Sequence, residues 1–177
     1  MQEVPKMNGE NRRLKILQSL QQHSAPLSGS ILANQLQVSR QVIVQDIALM
    51  RAENHPIVST NKGYLYRTRE TENNHPKRVF LVRHDTHDVL EEFMTIIELG
   101  GKILDVAVEH EIYGQIRADL LIEAASDARE FYERLLSCRD NPLKVLTDDC
   151  HYHTVSAPSE KLLDLIQREL QEKGFLV

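Results

Sequence analysis

"SGSILANQLQVSRQVIVQDIALMRAENHPIVSTNKGYLY", residues 28–66, changes its apolar rhythm part-way along. Ile31, Leu32 and Leu36 recur at helical spacing over a short segment, and "QVS" then turns the chain tightly. Ser39 sits where an N-cap belongs, with a hydroxyl that can accept an amide of the next helix's first turn. On that longer helix Ile43, Ile47 and Met50 fall at i, i+4 and i+7, which predicts a buried stripe. Arg40, Gln41, Val44 and Gln45 take the exposed side near its start. "HPIVSTNKGYLYR" then reads as two short strands around an Asn61-Lys62-Gly63 turn. Upstream, Leu14, Ile16, Leu17 and Leu20 mark another helix from Arg12 to Gln22, which Pro26 and Gly29 separate from the short helix after it.

Helix, helix, turn, helix, hairpin is the order of a winged helix-turn-helix. The stretches "LSGSILANQL", "VSRQVI" with "DI" and Met50 beyond it, and "KGYLY" resemble the N-terminal module of the biotin-operon repressor type. That order implies double-stranded operator DNA as partner, with the start of the recognition helix in the major groove. There Ser39 caps the helix, Arg40 meets guanine O6/N7 or a phosphate, and Gln41 or Gln45 pairs with adenine N6/N7. Val44 is placed for a thymine methyl. Lys62 at the wing tip, with Arg12 and Arg13, suits phosphate, which positions without specifying. One such module binds weakly, so a homodimer reading two half-sites is expected.

The charge supports a division of labour. Residues 1–70 carry nine Lys/Arg against five Asp/Glu, and residues 71–177 carry twelve against twenty-one, for a net of −5. A basic module is thus joined to an acidic one. The change falls at "RTRETENNHPKR", 67–78, which reads as a linker between domains at 8–70 and 76–177. The only cysteines are Cys138 and Cys150, which suits a reducing cytoplasm better than a disulfide scaffold. No apolar run approaches a membrane helix of ~20 residues. The start "MQEVPKMNGENRRLK" lacks the apolar segment of a signal peptide. A cytoplasmic protein with no membrane partner is expected.

Past the linker, "VFLVRH" reads as a strand and "DTHDVLEEFMTIIELGG" as a helix ending at Gly100-Gly101. In "KILDVAVEH" Leu104, Val106 and Val108 form one strand face, and in "YGQIRADLLI" Ile116, Ala118, Leu120 and Ile122 do likewise. "SDAREFYERLLSC" is an amphipathic helix behind a Ser126 cap. A short strand near Leu143–Leu146 and the strand "CHYHTV", 150–155, come next, before a last helix carrying Leu162, Ile166 and Leu170. The order β-α-β-β-α-β-β-α predicts a two-layer α/β domain with its helices on one face of an antiparallel sheet, and the whole chain is α+β. In "CHYHTV" the period of two sends His151 and His153 to one side and Tyr152 to the other. Two imidazoles so placed are a common way to offer nitrogen ligands to a metal.

"RHDTHDVLEEF", "DVAVEHEIYGQIRADLLI", "HYHTVSAP" and "KGFLV" resemble the 3H domain, which comes after a winged helix in the niacin-responsive repressors of NAD biosynthesis, the NiaR family. The two resemblances together span roughly residues 11–177. They imply an HPr-like open sandwich, a metal held by His84, Glu92, His151 and His153, and nicotinate or nicotinamide as co-repressor. Helical phase supports Glu92 independently. At ~100° per residue it borders the stripe of Val89, Leu90, Phe93, Ile96 and Ile97, while Glu91 points into solvent. His84 shares strand parity with Phe80 and Val82, whereas His87 falls on the first helical turn away from the stripe. Three imidazoles and a carboxylate suit a divalent transition metal: Ni, Zn, Fe or Mn. The resemblance also makes His110, with Tyr113 and Gly114, a candidate lining for the effector, although a histidine beside a β-turn accounts for His110 equally well. Arg117 is available to an effector carboxylate. The competing class, a metal-dependent enzyme fused to a DNA-binding module, lacks a phosphate-cradling glycine loop or a nucleophile with its partner. The expectation is therefore a repressor and not an enzyme.

Overall fold

The computed structural model describes residues 8–67, 75–139 and 141–177. The chain separates into two compact units, divided between residues 73 and 74. Residues 68–74 of the expected linker lie outside the described residues.

The first unit runs α1 (Gly9–Gln22), α2 (Gly29–Leu36), α3 (Arg40–Ala52), β1 (Ile57–Thr60) and β2 (Gly63–Tyr66). Local chemistry starts each helix: Asn8 accepts from the Glu10 amide, Ser28 Oγ from Ile31 N at 3.2 Å, and Ser39 Oγ from Val42 N at 3.4 Å. The tight turn between α2 and α3 passes through Gln37 in the left-handed region (φ 53°). Ile16 and Leu20 of α1, Leu32 of α2 and Ile43, Ile47 and Met50 of α3 close one apolar core. That is the stripe expected from their spacing. The wing has a third strand position, because Leu27 and Tyr64 exchange backbone hydrogen bonds at 2.9 and 2.8 Å. Gly63 makes this possible: at φ +138° a Cβ would lie 2.3 Å from the Leu27 carbonyl oxygen.

The second unit contains β3 (Lys77–Arg83), α4 (Val89–Glu98), β4 (Lys102–His110), β5 (Gly114–Ile122), α5 (Ala125–Ser137), β6 (Cys150–Ser156) and α6 (Glu160–Glu172). The strands lie in the order β5-β4-β6-β3, and every ladder between them is antiparallel. Phe93 and Ile96 of α4, Ala128 of α5 and Leu163, Ile166 and Leu170 of α6 share one core with Phe80, Val82, Ile103, Leu120, Ile122 and Val155 of the strands. This is the expected two-layer arrangement. No helix among the described residues is long and apolar enough to cross a membrane.

Four local expectations are corrected. Leu143–Thr147 is a 3-10 turn rather than a strand. Pro142 enters it without an amide to donate, and Asp148 and Asp149, both left-handed at φ 50° and 64°, turn the chain back into β6. Helix α5 begins at Ala125, so Ser126 is not its cap. Asp127 takes that part, its Oδ2 accepting the amides of Glu123 and Ala124 at 3.0 Å each. His87 lies in the turn before α4, exposed, with its amide on Asp85 Oδ1. The alternation read along β4 also fails at its start. The register shifts between Ile103 and Asp105, so Ile103 and Val106 join the core rather than Leu104.

Candidate functional site

The register of β3 on β6 pairs Phe80 with His153 and Val82 with His151. Both histidines are therefore on the core face, where Tyr152 is not, as strand parity required. His84 comes directly after β3, and α4 brings Glu92 over the same place. His84, Glu92 and His151 each put a ligand atom within 4.8 Å of the others, and all three are buried. His153 adjoins them, with Nε2 3.6 Å from Glu92 Oε2. Glu92, expected at the border of its helical stripe, is 0 % exposed. Phe175 beside His84 and Phe93 beside His153 help wall the cluster, at ring separations of 5.5 and 5.4 Å.

The three rings are set alike. His84 Nδ1 lies 2.7 Å from the Asp85 carbonyl oxygen, His151 Nδ1 2.9 Å from that of Asp149, and His153 Nδ1 2.6 Å from that of Asp105. A carbonyl only accepts, so each Nδ1 carries the hydrogen and donates it. Each Nε2 is left as the nitrogen available to a ligand-binding role. His84 Nε2 lies 2.8 Å from Glu92 Oε2, and Glu92 Oε1 has no hydrogen-bond partner among the described residues. With each Nδ1 committed, the three Nε2 atoms and the Glu92 carboxylate converge as a set that could hold a cation; without one, His84 Nε2 carries a hydrogen and donates it to Glu92 Oε2.

The electrostatics agree. Burial raises the carboxyl of Glu92, but the charges of His153 and His84 and the bond to His84 outweigh it and hold Glu92 below its ordinary range. Burial lowers His84, yet its bond to Glu92 raises it overall. Burial, joined by repulsion from His153, lowers His151 to about 4, so His151 is neutral at physiological pH. A buried carboxylate is thus drawing a proton onto an imidazole in the position where a divalent ion would supply the charge. The donor set fits a borderline metal such as Zn, Ni or Fe.

Two residues behind this cluster are not foreseen by spacing. Asp105, 1 % exposed, sits where the β4 register breaks against both neighbours. Its carbonyl oxygen is therefore free to take the His153 ring. Its carboxylate accepts Thr154 N at 3.2 Å and pairs with Arg117 at 2.6 Å. Lys144, in the 3-10 turn, donates to the His84 carbonyl oxygen at 2.7 Å. The signal in each case is a charged residue within an apolar run, but reading those runs as regular strands sends both to solvent.

The residues expected to meet an effector are less gathered. His110 Nδ1 accepts the amides of Ile112 and Tyr113 at 3.2 and 3.4 Å, the geometry of a turn-capping histidine. Tyr113 is 74 % exposed, and Gly114 (φ +68°) is also exposed in the same hairpin. Arg117 lies farther along β5, opposite Ala107, and its guanidinium is engaged by Asp105.

On the first unit, Ser39, Arg40, Gln41 and Gln45 are exposed along the start of α3, and Val44 and Lys62 are half-buried. Arg12 and Arg13, expected to meet phosphate with Lys62, instead point at buried Asp46 of α3. Arg12 holds it through Nε at 2.5 Å and Nη2 at 3.1 Å, with Arg13 at 3.6 Å. They brace the recognition helix from behind.

Comparison with known proteins divides the chain in the same way. Residues 12–65 match an HTH domain and residues 77–177 match the 3H domain. "Probable transcription repressor NiaR" of Thermotoga maritima is 36% identical over 95% of this chain and 94% of its own length. "Transcription repressor NadR" of Bacillus subtilis is 35% identical over 100% of this chain and 99% of its own. Both are named as repressors and neither as an enzyme. With both domains matched in order and both relatives aligned almost end to end, this chain belongs to the NiaR/NadR family of transcription repressors.

Proposed function

We propose that the protein is a metal-containing repressor of genes for NAD biosynthesis or niacin uptake, with nicotinate or nicotinamide as its co-repressor. It works in the cytoplasm as a homodimer on a two-half-site operator. The observation that carries the metal part is the common setting of His84, His151 and His153, each with Nδ1 committed to a backbone carbonyl. In this reading these imidazoles and Glu92 hold a divalent transition metal, which contributes charge and open coordination positions. Ser39, Arg40, Gln41, Val44, Gln45 and Lys62 form the operator-binding face, with α3 in the major groove.

The effector is assigned to His110, Tyr113, Gly114 and Arg117, with Arg117 as the cation for a carboxylate. Because Arg117 is already paired with Asp105, an effector carboxylate there acts by exchange. It draws the guanidinium from a carboxylate whose own backbone holds a metal-site histidine. A coupling of ~1–3 kcal/mol between effector and operator sites is enough for regulation.

The metal assignment is tested by elemental analysis of the purified protein. A divalent transition metal is expected in the wild type, with strong depletion in folded His151→Ala and His153→Ala. Equal metal content in wild type and variants would remove the assignment.

A further inference from the structure

Lys144 is a lysine 4 % exposed in the 3-10 turn, with no part in the proposed ligand set. Its ammonium meets two partners: the His84 carbonyl oxygen at 2.7 Å and the Asp149 carboxylate at 2.8 Å. Both lie directly behind the cluster. His84 is one of its rings, and the Asp149 carbonyl oxygen takes the Nδ1 hydrogen of His151. One ammonium therefore ties the end of β3 to the turn that enters β6, and these two segments carry separate members of the site.

Stability alone is a weak reason for such a residue, since a buried ion pair recovers little more than its desolvation and a packed apolar side chain serves as well. Charge is also a weak reason, because Asp149 neutralises the ammonium at close range. What remains is geometry. His84 follows the last residue of β3 and His151 is near the first of its antiparallel neighbour β6, and their rings meet edge-on with centroids 4.9 Å apart. Lys144 holds the backbone on both sides of that contact.

We propose that Lys144 is a positioning residue of the metal centre, setting the separation of His84 and His151 and hence the affinity and coordination of the ion. The inference rests on the metal reading above. Its test uses full-length, metal-stripped wild type, Lys144→Met and Asp149→Gly, each titrated with Co²⁺. Visible d–d absorption reads the coordination, and a competing chelator reads the affinity. Asp149→Gly keeps the backbone oxygen that holds His151, suits the left-handed backbone at that position and removes the ammonium's carboxylate partner, so it serves even if Lys144→Met does not fold. Folded variants are expected to bind Co²⁺ about 10–100-fold more weakly, the usual cost of losing support behind a ligand, with an altered d–d spectrum. Wild-type affinity and spectrum in Asp149→Gly, and in Lys144→Met where it folds, would overturn the role of Lys144. Absence of Co²⁺ binding by the wild type would overturn the metal reading, and this inference with it.

Discussion

Asp105 acts through both its backbone and its side chain. Its carboxylate takes the Thr154 amide that an unbroken ladder would have given to a carbonyl, and its own carbonyl is thereby free for His153. Asp105→Ala leaves a buried amide and the Arg117 guanidinium short of a partner. The expected loss is about 1–3 kcal/mol, measurable by urea unfolding of the metal-free protein, with looser metal retention alongside. An unchanged unfolding midpoint would mean that the bulge stands without its carboxylate. His151 gives a prediction in pH. Its folded value of about 4 lies below its ordinary 6.5, so between these the unfolded chain binds more protons. The stability it contributes is present above 6.5 and is lost as pH falls towards 4. His84, raised from 6.5, is protonated in both states across that window and does not offset the loss. The metal-free protein should therefore unfold at progressively lower urea as pH drops from 6.5 to 4, and a flat profile would contradict the burial argument.

At the scale of elements, periodicity makes legible only those features that repeat along one uninterrupted element. The stripe of Ile43, Ile47 and Met50, the Ser39 cap and the parity of His151 with His153 all depend on such a spacing. Glu92 is legible for the same reason, as a phase on a helix. The failures fall where spacing is interrupted. Ile103 and Asp105 straddle a register shift, which no rule of alternation foresees. "LKVL" looks like a strand until two successive left-handed aspartates close it. Arg12 and Arg13 look like phosphate ligands in a basic module, because their partner Asp46 is brought to them only by the packing of α1 on α3. The exposed start of α3 and the wing tip meet DNA differently in the proposed docking. Gln41→Ala should relax preference at one base position, by about 1–3 kcal/mol. Lys62→Ala should weaken binding to all sequences alike and reduce its salt dependence. Competition assays against a panel of operator variants separate the two, and uniform weakening by Gln41→Ala would contradict the docking.

Over the whole molecule, the basic first seventy residues are joined to an acidic remainder; in the proposed reading the two take different partners, operator and effector, and regulation requires each to sense the other. That linkage is reciprocal: if nicotinate raises operator affinity, operator must raise nicotinate affinity by the same factor. In the proposed assignment the metal ligands belong to the second unit and the phosphate contacts to the first. Loss of His153 should therefore remove the nicotinate response while non-specific DNA binding persists, since that binding is governed by salt and phosphate. The most direct measurement is a titration of labelled operator with metal-replete wild type and His153→Ala, with and without nicotinate or nicotinamide, at one salt concentration. The account predicts that saturating effector tightens wild-type binding by about 5–150-fold and leaves the variant unchanged. Wild-type affinity that does not move with either compound would contradict niacin sensing.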